Sequence, residues 1–326
     1  MSTPARPKQL LPLATARPLI VDTVERARAV ADDGHIRVLA GDHLAGPFRT
    51  AVPTLPPEAY MVEPEARGTC PVLAWAAWAV SREDPDAVFV SLHSDNVIRP
   101  VEAFRATVAA AARLAREEEL LVTVGVVPDR AETGYGHIQP GAPLPTLEGV
   151  EAFRVAAFHE KPDAATAERY VSEGYLWNSG IFVWKASVFL DEVRRHAPEV
   201  AACLPLLETE GAEAFFREVP VSVVDRAVLE RSDRVGCVRG TFAWDDVGTW
   251  EALARTLEPD AAGNVRVGAA RAVQARGNVV FAEEGEVVLF GVDDLVVVRT
   301  GERTLVLPRS RAADLKALLD ELGEAP

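Results

Sequence analysis

As far as about residue 250 the chain alternates short apolar runs with longer amphipathic stretches. That rhythm fits helices layered on a sheet, an α/β domain. The runs at 36–40, 87–92 and 121–127 read as buried strands, and 18–31, 69–82 and 101–118 as helices. Strands separated by helices of that length favour crossover connections, which implies a mostly parallel sheet. In the Ala-rich stretch from Thr69, Trp75 and Trp78 are i, i+3 neighbours and read as core.

Past Trp250 the texture changes. From Gly263 to Leu307 short Val-rich runs recur between Gly, Asn and Asp turns, and Gly-Asn opens two of them, at Gly263-Asn264 and Gly277-Asn278. This predicts a small β unit, rolled or helical. Leu315, Leu318, Leu319 and Leu322 then fall at i, i+3, i+4 and i+7, which predicts a closing helix. A length of 326 residues suits two unequal units, here 1–257 and 258–326.

The formal charge of −15 argues against a nucleic-acid surface. A small anion is still accessible, because a few local Lys and Arg residues can hold one phosphate. Cys70, Cys203 and Cys237 form no CxxC pair, so a reducing cytoplasm is expected rather than a disulfide framework or thiolate zinc site. There is no signal-peptide pattern and no apolar run near the roughly 20 residues of a membrane helix.

Several short segments carry the residue types that sugar phosphates and nucleotides require. Phe158-His159-Glu160-Lys161-Pro162-Asp163 and Gly174-Tyr175-Leu176-Trp177-Asn178-Ser179-Gly180 supply hydroxyl acceptors, a cation for phosphate and a flat apolar wall. Ser94 and Asp95 follow the run at 87–92, at the strand end where open α/β sheets bind ligands, and a carboxylate there suits a divalent cation. Taken alone, Asp95 could equally cap a turn. Asp246, in Trp244-Asp245-Asp246-Val247-Gly248-Thr249-Trp250, could equally cap the helix starting near Thr249. Thr69 is placed to cap the Trp-rich helix.

Together these segments resemble those of sugar-1-phosphate nucleotidylyltransferases, and most closely the mannose-1-phosphate guanylyltransferases. The matching pieces are FxEKP at Phe158–Pro162, WNxGxF at Trp177–Phe182, WxDVGxW at Trp244–Trp250, PKQ at Pro7–Gln9, EPxxRNT at Glu63–Thr69 and PETGYGY near Glu132–His137. The resemblance implies a Rossmann-like mixed, mostly parallel sheet with a short β-helical cap. It implies transfer of GMP from GTP to mannose 1-phosphate. Lys8 would contact the triphosphate, Asp95 and Asp246 would hold Mg2+, and Glu63, Arg67, Thr69 and Ser94 would bind the nucleotide. Gly136, Glu160, Lys161 and Asn178 would bind the sugar phosphate, Glu160 and Asn178 through its hydroxyls. A homodimer is compatible with it.

The chain departs from the family pattern at Gly68 (usually Asn), Asn96 (usually His), His137 (usually Tyr), and Val223 and Arg226 in the segment that retains Asp225. The family's AGGxGxR loop and first strand, which precede PKQ, have no counterpart before Pro7. Their loss would leave neighbouring strands without backbone partners and phosphates without a cradle. A truncated start is the favoured explanation. The alternatives are a non-catalytic sugar-nucleotide binder or regulatory homologue, and an enzyme for another hexose 1-phosphate. A bifunctional enzyme with phosphomannose isomerase activity is not expected, since no second catalytic domain follows.

Overall fold

The structure, a computed structural model, describes residues 7–301, 303–314 and Glu321. The expected helix around Leu315, Leu318, Leu319 and Leu322 lies outside the described residues. Packing divides the chain into two units, one of Val24–His93 and Ile98–Trp244, the other of Met1–Thr23, Ser94–Val97 and Asp245–Pro326. The division thus falls at Trp244/Asp245 and assigns the first 23 residues to the C-terminal unit.

In chain order the strands are β1 (Val38–Gly41), β2 (Tyr60–Glu63), β3 (Val88–Ser91), β4 (Val97–Arg99), β5 (Leu121–Val126), β6 (Gly136–Leu147), β7 (Val150–Glu160), β8 (Leu176–Lys185), β9 (Val235–Arg239), β10 (Ala243–Asp245), β11 (Val265–Val273), β12 (Val279–Phe290), β13 (Leu295–Thr300) and β14 (Arg303–Pro308). The larger unit is built on a six-stranded sheet of order β3-β8-β5-β9-β7-β6. All six residues of β5 are buried, and they alternate between two cores. Leu121 faces Trp184, Phe189, Phe215 and Phe216 on one side of the sheet. Val122 and Val124 face Phe104, Val108 and Leu114 of the helix α4 (Val101–Glu117) on the other. Each fully buried side chain of this size contributes about 2 kcal/mol through the surface it removes from water.

The sheet is mixed, as expected, but less parallel than the helix spacing implied. Only β5 and β9 pair in parallel among its ladders, while β8 runs antiparallel to both β3 and β5. The reason is topological: β3 and β5 run the same way, and β8 inserts between them in the opposite direction after the β6–β7 hairpin. A separate parallel pair joins β1 to β2, from Val38 opposite Tyr60 to Gly41 opposite Glu63. Among the described residues, β1 and β3 each carry a ladder on one side only.

In the C-terminal unit β11, β12 and β13 stack in parallel and β14 closes antiparallel on β13. The two Gly-Asn pairs sit on successive rungs. Asn264 Nδ2 donates to Ala275 O, and its Oδ1 accepts from both the backbone N and Nδ2 of Asn278. Asn278 Nδ2 also donates to Val292 O, and Asn278 Oδ1 accepts from Leu295 N. Both side chains are buried, and together they tie three turns of a coil.

Candidate active site

Residues far apart in the chain converge in the C-terminal unit. Lys8, in a single 3-10 turn, donates from Nζ to the backbone oxygen of Asp246 at 2.6 Å, across 238 residues, and pairs with Asp95 Oδ2 at 2.9 Å. Gln9 Nε2 reaches the same Asp95 oxygen at 3.4 Å. Asp95 lies with Ser94 in the turn after β3. Both Lys8 and Asp95 side chains are about one-fifth exposed, so the pair is within reach of solvent and ligand.

Asp245 and Asp246 divide the next task. Buried Asp245 accepts from Val247 N and takes both Nε and Nη2 of Arg255 on one oxygen, at 3.0 and 2.8 Å. It anchors a turn in which Val247 has φ 49°, a left-handed conformation costly for a β-branched residue. Asp246, half-buried, accepts from Gly248 N. The Thr249 side chain, not an Asp, caps the following helix Trp250–Thr256 through Ala252 N. A carboxylate and a carbonyl that already seat one ammonium are an all-oxygen donor set, which suits a hard divalent ion. Mg2+ is commonly bound by one or two carboxylates, with substrate phosphates and water completing its shell. The described residues contain no cluster of three or more metal-type side chains.

In the larger unit, Glu63 ends β2 opposite Gly41, half-buried, and burial raises its carboxyl above the usual range. Arg67 is committed to its surroundings: Nε donates to Phe216 O, and Nη2 to Arg217 O and Glu65 Oε2. Thr69 does not cap the helix α3 (Thr69–Glu83). The cap position belongs to Gly68, at φ 85°, and Thr69 Oγ1 instead accepts from Val224 N at 2.9 Å. The cause is the close approach of the 220–224 segment. Ser222 N donates to Arg67 O, Cys70 N donates to Ser222 O, and a Cβ at position 68 would collide with Ser222 O. This accounts for glycine where the resemblance calls for Asn.

The segments around Glu160 and Asn178 meet at the β6–β7–β8 junction. Gly136 pairs with Glu160, and a Cβ there would lie 2.8 Å from Glu160 Oε2 and 3.3 Å from Asn178 Cβ. Lys161 Nζ is 3.6 Å from Glu160 Oε1, with its side chain 60% exposed. Asn178 is fixed by three bonds: its Oδ1 accepts from Thr123 Oγ1 (2.9 Å) and Gly180 N (3.3 Å), and its Nδ2 donates to Asp225 Oδ1 (3.1 Å). Burial, then the nearby Glu160 charge, push the Asp225 carboxyl up to about 6. The carboxamide oxygen is therefore engaged twice, and its nitrogen once. Thr123 and Asp225 are the partners that sequence reading does not connect, because they lie 55 and 47 residues from Asn178.

Beside them, Arg130 lies over the Trp177 ring at 4.7 Å, and Tyr135 meets Trp177 and Trp244 edge-on. His137, which stands where the family usually has Tyr, is buried with Nδ1 on Tyr135 O. Its Nε2 and the Trp177 Nε1 have no hydrogen-bond partner among the described residues.

Residues 3–262 match the Nucleotidyl transferase family, and residues 268–322 the MannoseP isomerase/GMP-like beta-helix domain. The chain is 34% identical to the xanthan biosynthesis protein XanB of Xanthomonas campestris pv. campestris (strain B100), over 100% of this chain and 70% of that protein. It is 37% identical to the mannose-1-phosphate guanylyltransferase of Escherichia coli (strain K12), over 81% of this chain but only 58% of the relative's length. A crystal structure from Thermus thermophilus, described as a mannose-1-phosphate geranyltransferase, superposes with a TM-score of 0.88 at 30% identity. The match covers 99% of this chain and 94% of that one.

Proposed function

The chain belongs to the nucleotidyl transferase family, and we propose that it transfers GMP from GTP to mannose 1-phosphate, giving GDP-mannose and pyrophosphate. The observation that carries this reading is the seating of the Lys8 ammonium on Asp95 and on the Asp246 backbone. Three residues separated by most of the chain form a charged cluster suited to a metal–triphosphate.

A phosphate oxygen of mannose 1-phosphate forms a new bond to the α-phosphorus of GTP, and the bond from that phosphorus to the α–β bridging oxygen breaks. Pyrophosphate departs with the bonding electrons. The nucleophile is anionic at neutral pH, so the chemistry rests on alignment and charge neutralisation rather than on a general base. Mg2+ held by Asp95 and Asp246 supplies neutralisation of phosphate charge when bound. Lys8 adds a cation beside that position. Glu63 accepts from guanine N–H groups, Glu160 accepts from sugar hydroxyls, Asn178 donates to one, and the exposed Lys161 ammonium pairs with the sugar's phosphate. The described residues contain no helix long and apolar enough to cross a membrane.

The test is pyrophosphate release with magnesium, comparing GTP with ATP and mannose 1-phosphate with glucose 1-phosphate. Release at least tenfold faster with the guanine and mannose substrates is expected. Equal rates across the four pairings, or none in any, would sink the reading.

A further inference from the structure

We propose that His43 reads the nucleotide base alongside Glu63. Its imidazole N–H donates to the guanine O6, while the Glu63 carboxylate accepts from the N1–H and the 2-amino group. The proposal rests on the guanylyl-transfer reading and names a residue that decides between guanine and adenine.

His43 comes just past β1, second in the helix Asp42–Ala51. β1 and β2 run parallel, and Gly41 stands opposite Glu63 where both strands end. Side chains alternate along a strand, so register partners point to one face of the pair. Leu39, Gly41, Met61 and Glu63 therefore share a face, with Val38, Ala40, Tyr60 and Val62 on the other. The first face is only half-buried at all four positions, whereas Val38, Ala40 and Tyr60 are buried. An accessible apolar strip thus leads up to Glu63.

The His43 ring occupies the place that a side chain at position 41 would take. A Cβ on Gly41 would lie 3.2 Å from its Cε1 and 3.3 Å from its Nδ1. The imidazole therefore sits on the same face as Glu63, one strand across, and neighbouring strands are about 4.8 Å apart. His43 is exposed, and neither side chain hydrogen-bonds to another described residue.

An imidazole carries at least one N–H in either charge state. Guanine presents the O6 acceptor next to its N1–H and 2-amino donors, whereas adenine presents a 6-amino donor and an unprotonated N1. Against this pair of side chains adenine sets donor to donor at His43 and acceptor to acceptor at Glu63. A site built to hydrogen-bond one analogue rejects the mismatched one far more strongly than an apolar pocket does. Leu39 and Met61 supply apolar contact for the base, Met61 through a thioether that favours aromatic rings.

6-Thio-GTP isolates the His43 contact, because it keeps N1–H and the 2-amino group and puts a weakly accepting sulfur in place of O6. Titration calorimetry of the full chain at pH 7 compares the Mg2+ complexes of GTP, 6-thio-GTP and ATP. GTP should bind about tenfold more tightly than 6-thio-GTP, the worth of about one hydrogen bond. In His43→Phe, which keeps a flat ring, GTP should weaken about tenfold and that preference should vanish. Glu63→Gln should weaken both guanine nucleotides and keep the preference. Gly41→Val fills the ring's place on a backbone at φ −62° and ψ 157°, which a β-branched residue accepts, and should abolish the preference with His43 intact.

Equal binding of GTP and 6-thio-GTP by the wild type, or the preference retained in His43→Phe, would overturn the proposal. If His43→Phe fails to fold, Gly41→Val decides in the same way. ATP bound as tightly as GTP, or neither bound, would instead overturn the guanylyl-transfer reading, and this inference with it.

Discussion

Asn278 in the C-terminal β unit and Asn178 in the larger unit are the same side chain in two polar networks. Asn278 gives both amine hydrogens to fixed acceptors, Asn264 Oδ1 and Val292 O, and takes Leu295 N on its oxygen. Every partner belongs to the coil, and the network closes on itself. Asn178 is held by a hydroxyl, a backbone N–H and a carboxylate whose charge nothing in the hydrogen-bond chain neutralises. The contrast teaches that a closed amide network is fold, whereas one ending on a half-buried charge is poised for something else to complete it.

The largest effect expected from breaking this contrast is on the closed network. Asn278→Ala leaves Val292 O, Leu295 N and the Asn264 carboxamide short of partners in a buried place, at a cost of about 4 kcal/mol. Denaturant unfolding followed in the β unit measures it. If Asn178→Ala destabilises as much, the distinction fails.

The next largest effects compare neighbours. Asp245→Asn removes the charge from a buried pair with Arg255 and should cost about 3 kcal/mol of stability. Asp246→Asn should leave stability within about 0.5 kcal/mol and lower turnover roughly 100-fold. Thermal melts alongside pyrophosphate release separate the two, and an interchange of these outcomes would reverse their assigned roles. Asn178→Ala should raise the KM for mannose 1-phosphate about tenfold with little change in that for GTP.

The smallest effect sharpens the contrast most. A carboxyl whose folded pKa lies above its unfolded value weakens the fold as pH rises through that interval. Asp225→Asn should therefore melt higher by about 2 °C at pH 7.5. That gain should shrink as pH falls from 6 towards 4.

Legibility from sequence follows the range of the interactions. The Asn264–Asn278 rungs are visible because Gly-Asn recurs at strand entries, a repeat written locally. The helices α3 and α4 and the strand β5 come out near their observed bounds because each is set by its own periodicity. The direction of β8 is not visible, since it depends on which gap a strand fills after a hairpin. Thr69 reads as a cap because a Thr opening a helix usually is one; the docking of Ser222 and Val224 takes that oxygen. Asp95 is nominated by its place after a strand as well as by resemblance, but Lys8 and Asp246 by resemblance alone, as nothing local links residues 238 positions apart. Thr123 and Asp225, the two partners that orient Asn178, are out of reach for the same reason.

The coil of the C-terminal unit has one further consequence. Val265 stands opposite Val279, fourteen positions on, but beyond the break between Gly268 and Ala270 the next pair is Ala270 opposite Val287, seventeen on. The extra residues are shed at a corner, where Gly268, at φ 81°, lets Ala282 O come against the backbone. Length changes of a few residues can therefore accumulate at that corner while the asparagines stay stacked. Relatives of this protein should be aligned there by rung rather than by count, with gaps gathering between 282 and 287 and the two Asn columns held fixed.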